Sequence, residues 1–234
     1  MRAGRVAGVL VAGALAFLPA SAHAGARADY KQMFTTPVPG ASTGSDTEIL
    51  YKHPDDPQAK PIPVREEVFT FPKGTTWDTT VVPDCTVTDV ELMLLGRDAC
   101  PPETWIGEGK GDTSMSGFPG AGETKLIVNG FDRDAGVRVA GGAEPFGPYF
   151  VAQLVRKGRV VTVQVPRTPG GPPDGESALR YVHNVFPPRS AGDRAFTRTP
   201  STCPASGSWR FEARLTFADG VVEHDTYDMP CRPG

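Results

Sequence analysis

The sequence predicts an all-β protein: a β-sandwich of Ig-like or jelly-roll type with one short disulfide-clamped helix. Three observations point there. Trp209, Phe211, Ala213, Leu215 and Phe217 alternate with Arg210, Glu212, Arg214 and Thr216, the period-two pattern of a strand with one buried face. Short runs rich in Val, Ile, Thr and aromatic residues recur between turn signals. Gly 27 and Pro 24 make up 51 of 234 residues, too many breakers for a helical protein, yet too few for a wholly disordered chain.

The chain opens with Arg2 and Arg5 ahead of an apolar run from Val6 to Leu18, then Pro19, then Ala22-His23-Ala24. A basic start, an apolar middle and small residues before the cut are the three regions of a secretory leader. Residues 1–24 are therefore read as a signal peptide cut after Ala24, with Ala26-Arg27-Ala28 as a second cut site. The 13 apolar residues fall short of the roughly 20 that span a bilayer, and no other long apolar run follows, so no transmembrane span is expected after cleavage. The expected location is secreted, extracellular or cell-envelope-associated. Loss of Arg2 and Arg5 takes the net charge from −3 to −5, which argues against nucleic acid as a partner.

Residues 25–63 show no periodicity and carry Pro37, Pro39, Pro61 and Pro63, so they are expected to form an extended N-terminal arm. A single β-sandwich domain is expected over 64–234. Its first strand covers 64–71 and turns at Pro72-Lys73-Gly74. Thr88 and Glu91 have capping-box spacing, Val90, Leu92, Met93 and Leu94 follow, and Gly96 is placed to stop a short helix. Strands are then expected at 106–113, at 124–131 and 137–140 across the Asp132–Gly136 turn, and at 149–156 and 159–165 about Lys157-Gly158. After a Gly/Pro-rich loop, 179–186 forms a strand. The chain closes with a hairpin turned at Asp219-Gly220.

Four cysteines in an exported chain read as two disulfides. Three pairings are available to Cys85, Cys100, Cys203 and Cys231. Cys85–Cys100 and Cys203–Cys231 are favoured because the first closes around the short helix and the second ties the outer ends of the last hairpin. A zinc site is the rival reading, but no C-x-x-C spacing and no nearby histidine support it.

The run Ala99-Cys100-Pro101-Pro102-Glu103-Thr104-Trp105-Ile106-Gly107-Glu108-Gly109, with the Phe71-Pro72 entry and the closing Cys203-Pro204, Gly207-Ser208-Trp209, Asp219-Gly220 and Cys231, resembles a family of secreted actinobacterial proteins of uncharacterised function. The resemblance covers about 65–234. It implies the two local disulfides and the sandwich, and it implies no activity. Pro102 departs from the family pattern and stiffens the turn after Cys100.

Several groups of residues have the look of chemical sites. Gly111-Asp112-Thr113-Ser114-Met115-Ser116-Gly117 is similar to a subtilisin-type serine loop, but the accompanying Asp and His motifs are missing, so it reads as a flexible loop. Asp132-Arg133-Asp134-Ala135-Gly136 starts like a calcium loop without the later bidentate acid, so it reads as a turn. Glu223, Asp225 and Tyr227 share one strand face and could supply the paired carboxylates of a glycoside hydrolase. With a two-residue turn at Asp219-Gly220, the expected register sets Asp225 against Arg214, Glu223 against Thr216 and His224 against Leu215, which makes Asp225 a solvent-face ion pair and puts His224 on the apolar face. His183 alternates with Leu179, Tyr181 and Val185 and reads as another half-buried ring. Trp105, Tyr149 and Phe150 are the candidate ligand-binding aromatics, with Trp77 and Phe146 beside them.

The function expected is therefore a non-enzymatic extracellular binding or surface-associated module, with a cell-envelope component or a glycan as partner. The alternative is a carbohydrate-active hydrolase using Glu223 and Asp225. No cofactor or metal is implied.

Overall fold

The computed structural model describes residues 25–95, 99–114, 120–128, 136–143, 147–168, 170 and 174–232, with backbone alone at 120–128, 136–143 and 147–150. Its strands in chain order are β1 (Ala28–Phe34), β2 (Ser45–Tyr51), β3 (Val64–Thr70), β4 (Thr76–Trp77), β5 (Trp105–Thr113), β6 (Gly120–Val128), β7 (Gly136–Ala143), β8 (Gly147–Lys157), β9 (Val160–Gln164), β10 (Leu179–Phe186), β11 (Ser190–Ala191), β12 (Arg194–Ala195), β13 (Thr197–Arg198), β14 (Ser208–Phe217) and β15 (Val222–Pro230). Among the described residues one α-helix, α1 (Asp89–Leu95), lies between β4 and β5.

Eleven strands form a continuous antiparallel ladder in the order β1-β2-β10-β5-β6-β7-β8-β9-β3-β14-β15, while β11 pairs with β12 and β13 with β4. The ladder folds over so that its halves pack face to face, giving the sandwich-like all-β architecture and single short helix that the sequence implies. β14 buries Trp209, Phe211, Ala213, Leu215 and Phe217, as its alternation requires. Opposite them, Phe34 of β1 meets Trp209 and Phe211 edge-on at 5.5 and 4.9 Å, and Phe71 meets Phe211 and Trp77 at 5.7 and 5.0 Å. Tyr30 stacks on Phe69 at 6.0 Å.

Part of the stretch expected as an extended arm is core. β1 buries Ala28, Tyr30, Gln32 and Phe34, and β2 buries Ser45, Thr47, Ile49 and Tyr51. Gln32, Ser45 and Thr47 put polar side chains on the inward face, which hides the period-two pattern from a hydrophobicity reading.

Two turns sit one residue away from expectation. The last hairpin bends through three residues: Gly220 N–H donates to the Phe217 carbonyl, Phe217 pairs with Val221, and Gly220 takes φ +83°. A type I turn followed by a left-handed glycine is the three-residue hairpin connection, not the two-residue one. Pairs across β14 and β15 are consequently Arg214–His224, Ala213–Asp225 and Leu215–Glu223. A one-residue slip flips every side chain of the returning strand. Glu223 and Asp225 therefore turn toward the core side, and His224 is exposed. The β8–β9 turn likewise runs through Gly158-Arg159, with Lys157 paired to Val160, because Gly158 at φ +58° takes the first central position.

Both disulfides are Cys85–Cys100 and Cys203–Cys231, with Cα–Cα distances of 5.6 Å in each. Such bonds fit an oxidising compartment. Among the described residues no helix is long and apolar enough to cross a membrane.

Candidate functional site

The short segment between β4 and β5 is built by local rules. Asp78 accepts the Thr80 N–H at 3.0 Å and starts a 3-10 turn over Thr79–Val81. At α1 the capping box closes in full: Glu91 Oε2 accepts the Thr88 N–H at 2.6 Å, and Thr88 Oγ1 accepts the Glu91 N–H at 3.2 Å. The Thr88 backbone and hydroxyl bonds hold the Glu91 carboxyl below its usual range. The Gly96 stop lies outside the described residues.

α1 lies against β8, and only one of its apolar residues goes inward. Leu92 is fully buried against Cys85 and Cys100, with Val87, Ala99, Trp105 and Val151 around it. At 100° per residue Val90 and Leu94 lie on the side opposite Leu92 and Met93 on the flank, while Leu95, only about 60° from Leu92, falls at the exposed last turn. Val90, Met93, Leu94 and Leu95 are 64, 45, 76 and 63 % exposed. A helix whose apolar residues fill most of its circumference is ordinarily covered over most of it. Here a disulfide staples such a helix to the body with its outer side open, and contiguous exposed apolar surface of this kind marks interaction sites.

The helix itself is acidic: α1 carries Asp89 and Glu91 and no cation. Asp89, Glu91 and Glu103 are exposed. The capping box and apolar run imply this helix, but not that most of its apolar side chains face outward. The missed signal was the count: five apolar residues among six consecutive positions, 90–95, exceed what one side of a two-turn helix can hide.

The other candidates fall elsewhere. Trp105 is partly buried in the cluster beneath α1 rather than open on a surface. Phe150 lies opposite Gly141 on β7, and Tyr149 is the extra residue of the bulge between Gly141 and Gly142; their side chains, like Phe146, lie outside the described set. Trp77 packs edge-on against Phe71. Glu223 and Asp225 do not pair with Thr216 and Arg214. Glu223 Oε2 accepts the Arg27 N–H at 3.0 Å, Asp225 Oδ2 accepts the Tyr30 N–H at 3.2 Å, and Arg214 instead bonds Glu66 at 2.7 Å. His183 sits on the outer face with Nε2 2.9 Å from Asp46 Oδ1, and the neighbouring Tyr181 hydroxyl donates to Glu48 at 2.9 Å. Ser114 Oγ accepts the Ala178 N–H at 2.9 Å, whereas Ser116 and residues 132–135 lie outside the described residues. The cysteines of the zinc reading are consumed in disulfides.

Fold and staples together define a disulfide-bonded β-sheet protein of sandwich-like build. No family model, curated protein or solved structure matches the chain.

Proposed function

We propose that this chain is a secreted, non-enzymatic binding module that docks through α1 into an apolar cleft of a partner protein whose rim is basic. The carrying observation is the outward face of Val90, Met93, Leu94 and Leu95 on a disulfide-stapled helix. The leader at 1–24 and the two disulfides support an exported protein. Helix-in-groove recognition supplies the mode: an apolar face for affinity, with flanking charges for choice of partner. The acids around α1 select among occupants. A second copy would bring Asp89 and Glu91 against their own kind, and an anionic bilayer would repel them. A cleft edged with Lys or Arg complements them. Glu223 and Asp225 act as acceptors for β1 amides, which supports a structural role for both rather than the hydrolase alternative.

The test is cross-linking mass spectrometry of residues 25–234 on intact host cells, with wild type beside Leu94→Ser/Leu95→Ser. The reading holds if cross-links from α1 reach a protein cleft flanked by basic residues, weaken with salt, and vanish in the variant. Concentration-dependent self-association lost in the variant would assign a second copy instead. Binding to phosphatidylglycerol vesicles would assign lipid, and identical behaviour of the two proteins would overturn the reading.

A further inference from the structure

At the end of the sandwich closed by Cys203–Cys231 lies a groove of about 520 Å³, formed by the turn after β3, the loop before β14 and the outward residues of the last hairpin. Its volume falls within the roughly 300–1,000 Å³ of small-molecule sites. The walls are set in advance. Thr75 N–H donates to the Pro72 carbonyl at 3.1 Å, Gly207 N–H to Pro204 at 2.9 Å, Cys231 N–H to Gly207 at 2.9 Å, and the Trp209 indole to Thr202 at 3.2 Å.

The charges in the groove divide into spent and available. Arg210 and Asp228 neutralise each other through a two-pronged contact at 2.9 and 2.8 Å. Arg159 donates to the Phe71 carbonyl at 2.8 Å and has no carboxylate partner among the described residues. The side chains of Lys73 and Glu212, both exposed, have no hydrogen-bond or ion-pair partner among the described residues, and the Glu212 carboxylate lies within electrostatic reach of Arg210. Thr202, Ser206 and Ser208 add hydroxyls, that of Ser206 already donating to the Ser208 carbonyl at 3.1 Å and so offering its lone pairs. Two cations without a counter-ion among the described residues, one acceptor carboxylate and a row of hydroxyls suit a ligand that carries carboxylates on a hydroxyl-rich frame. The net −5 expected after leader removal argues against long polyanions such as nucleic acid.

We infer that this groove is a binding site for an acidic saccharide, its carboxylate held by Lys73 and Arg159 and its hydroxyls by Glu212 and the Ser/Thr wall. The site is separate from α1 and stands or falls without it. Isothermal titration of residues 25–234 tests it, with tri-galacturonate as probe, neutral galactotriose as control, and a glycerol-phosphate oligomer as the competing anion. Tri-galacturonate is expected to bind about tenfold more tightly than the neutral sugar, to lose about tenfold in Lys73→Gln, and to weaken in Glu212→Gln. Lys73 is an exposed turn residue, so an unchanged melting temperature certifies the variant's fold, and Leu94→Ser/Leu95→Ser is expected to leave this binding intact. No heat with tri-galacturonate, equal affinity for galactotriose, preference for the glycerol phosphate, or an unaffected Lys73→Gln would each overturn the inference.

Discussion

Asp225 on β15 accepts the backbone N–H of Tyr30 on β1 at 3.2 Å, joining the two ends of an eleven-stranded ladder. Arg27 N–H to Glu223 and Phe34 N–H to the Met229 sulfur at 3.2 Å repeat the contact along the same pair of strands. The seam is thus closed by side chains from β15 that satisfy amides of an edge strand, a device that also denies that edge to another chain. Replacing Asp225 by Ala leaves the Tyr30 amide without its acceptor and is expected to cost about 1–2 kcal/mol, whereas Asn, which retains a carbonyl oxygen, costs less. Urea denaturation of the two variants checks this order.

Arg27 locks the beginning of the seam. Its guanidinium bonds Asp219 at 2.7 Å, lies 3.7 Å from Glu223 and sits over the Phe217 ring at 5.3 Å. Because Asp219 and Glu223 retain some access to water, Arg27→Ala is expected to cost about 2 kcal/mol, less than a fully buried pair. Lys will not restore it, since it lacks the planar fork that bonds and stacks together. The same logic separates the two leader cut sites. A chain beginning at Gly25 keeps the lock, and one beginning at Asp29 loses Arg27 together with buried Ala28. Thermal melts of the two truncated proteins should differ accordingly.

How much of this was legible depends on what each signal measures. β14, β10, the capping box and both disulfides could be read because each rests on residues adjacent in sequence or on an even count of cysteines. β1 and β2 could not, because Gln32, Ser45 and Thr47 occupy inward positions where the pattern calls for apolar residues. The roles of Glu223 and Asp225 turned on one residue of loop length. Asp-Gly is the preferred two-residue turn, yet here Ala218 joins it, and that single step reverses which side of β15 meets the core. The outward face of α1 was written in its composition, but only the packing against β8 showed that Leu92 alone goes inward.

Glu67 supplies a pH dependence opposite in sign to the common one. It is buried on β3 between Val163 and Leu215 of the flanking strands, with the Tyr51 hydroxyl of β2 donating to it. Burial raises its pKa from an ordinary 4.5 to about 7, only partly opposed by the Tyr51 bond, and burial and the facing carboxyl push the Tyr51 phenol up as well. Between those values the folded protein holds a proton that the unfolded chain has released, so stability falls as pH rises through the window. The span corresponds to about 3 kcal/mol at about 1.4 kcal/mol per pKa step. Denaturation midpoints from pH 4.5 to 8 should decline in wild type, and Glu67→Gln should flatten that part of the profile. A wild-type stability that rises across the window would show Glu67 ionised throughout.

The two disulfides should be unequal in what their loss exposes. Cys203 and Cys231 pack on the main core and close a sequence separation of 28, so replacing both by Ser is expected to cost about 3.5 kcal/mol of global stability. Cys85 and Cys100 close a separation of 15 around a satellite cluster that contains Leu92, apart from that core. Their loop entropy is nearly as large, about 3 kcal/mol, but it is spent on holding α1. Seven residues are too few to stay helical without help. Hydrogen exchange resolves the difference. Cys85→Ser/Cys100→Ser should unprotect amides at 85–95 while those of β14 keep most of their protection, and Cys203→Ser/Cys231→Ser should lower protection across β1, β3 and β14 together. If the first pair instead lowered β14 to the same degree, α1 and the sandwich would be one cooperative unit, and the staple would serve the whole fold rather than the presentation of one helix.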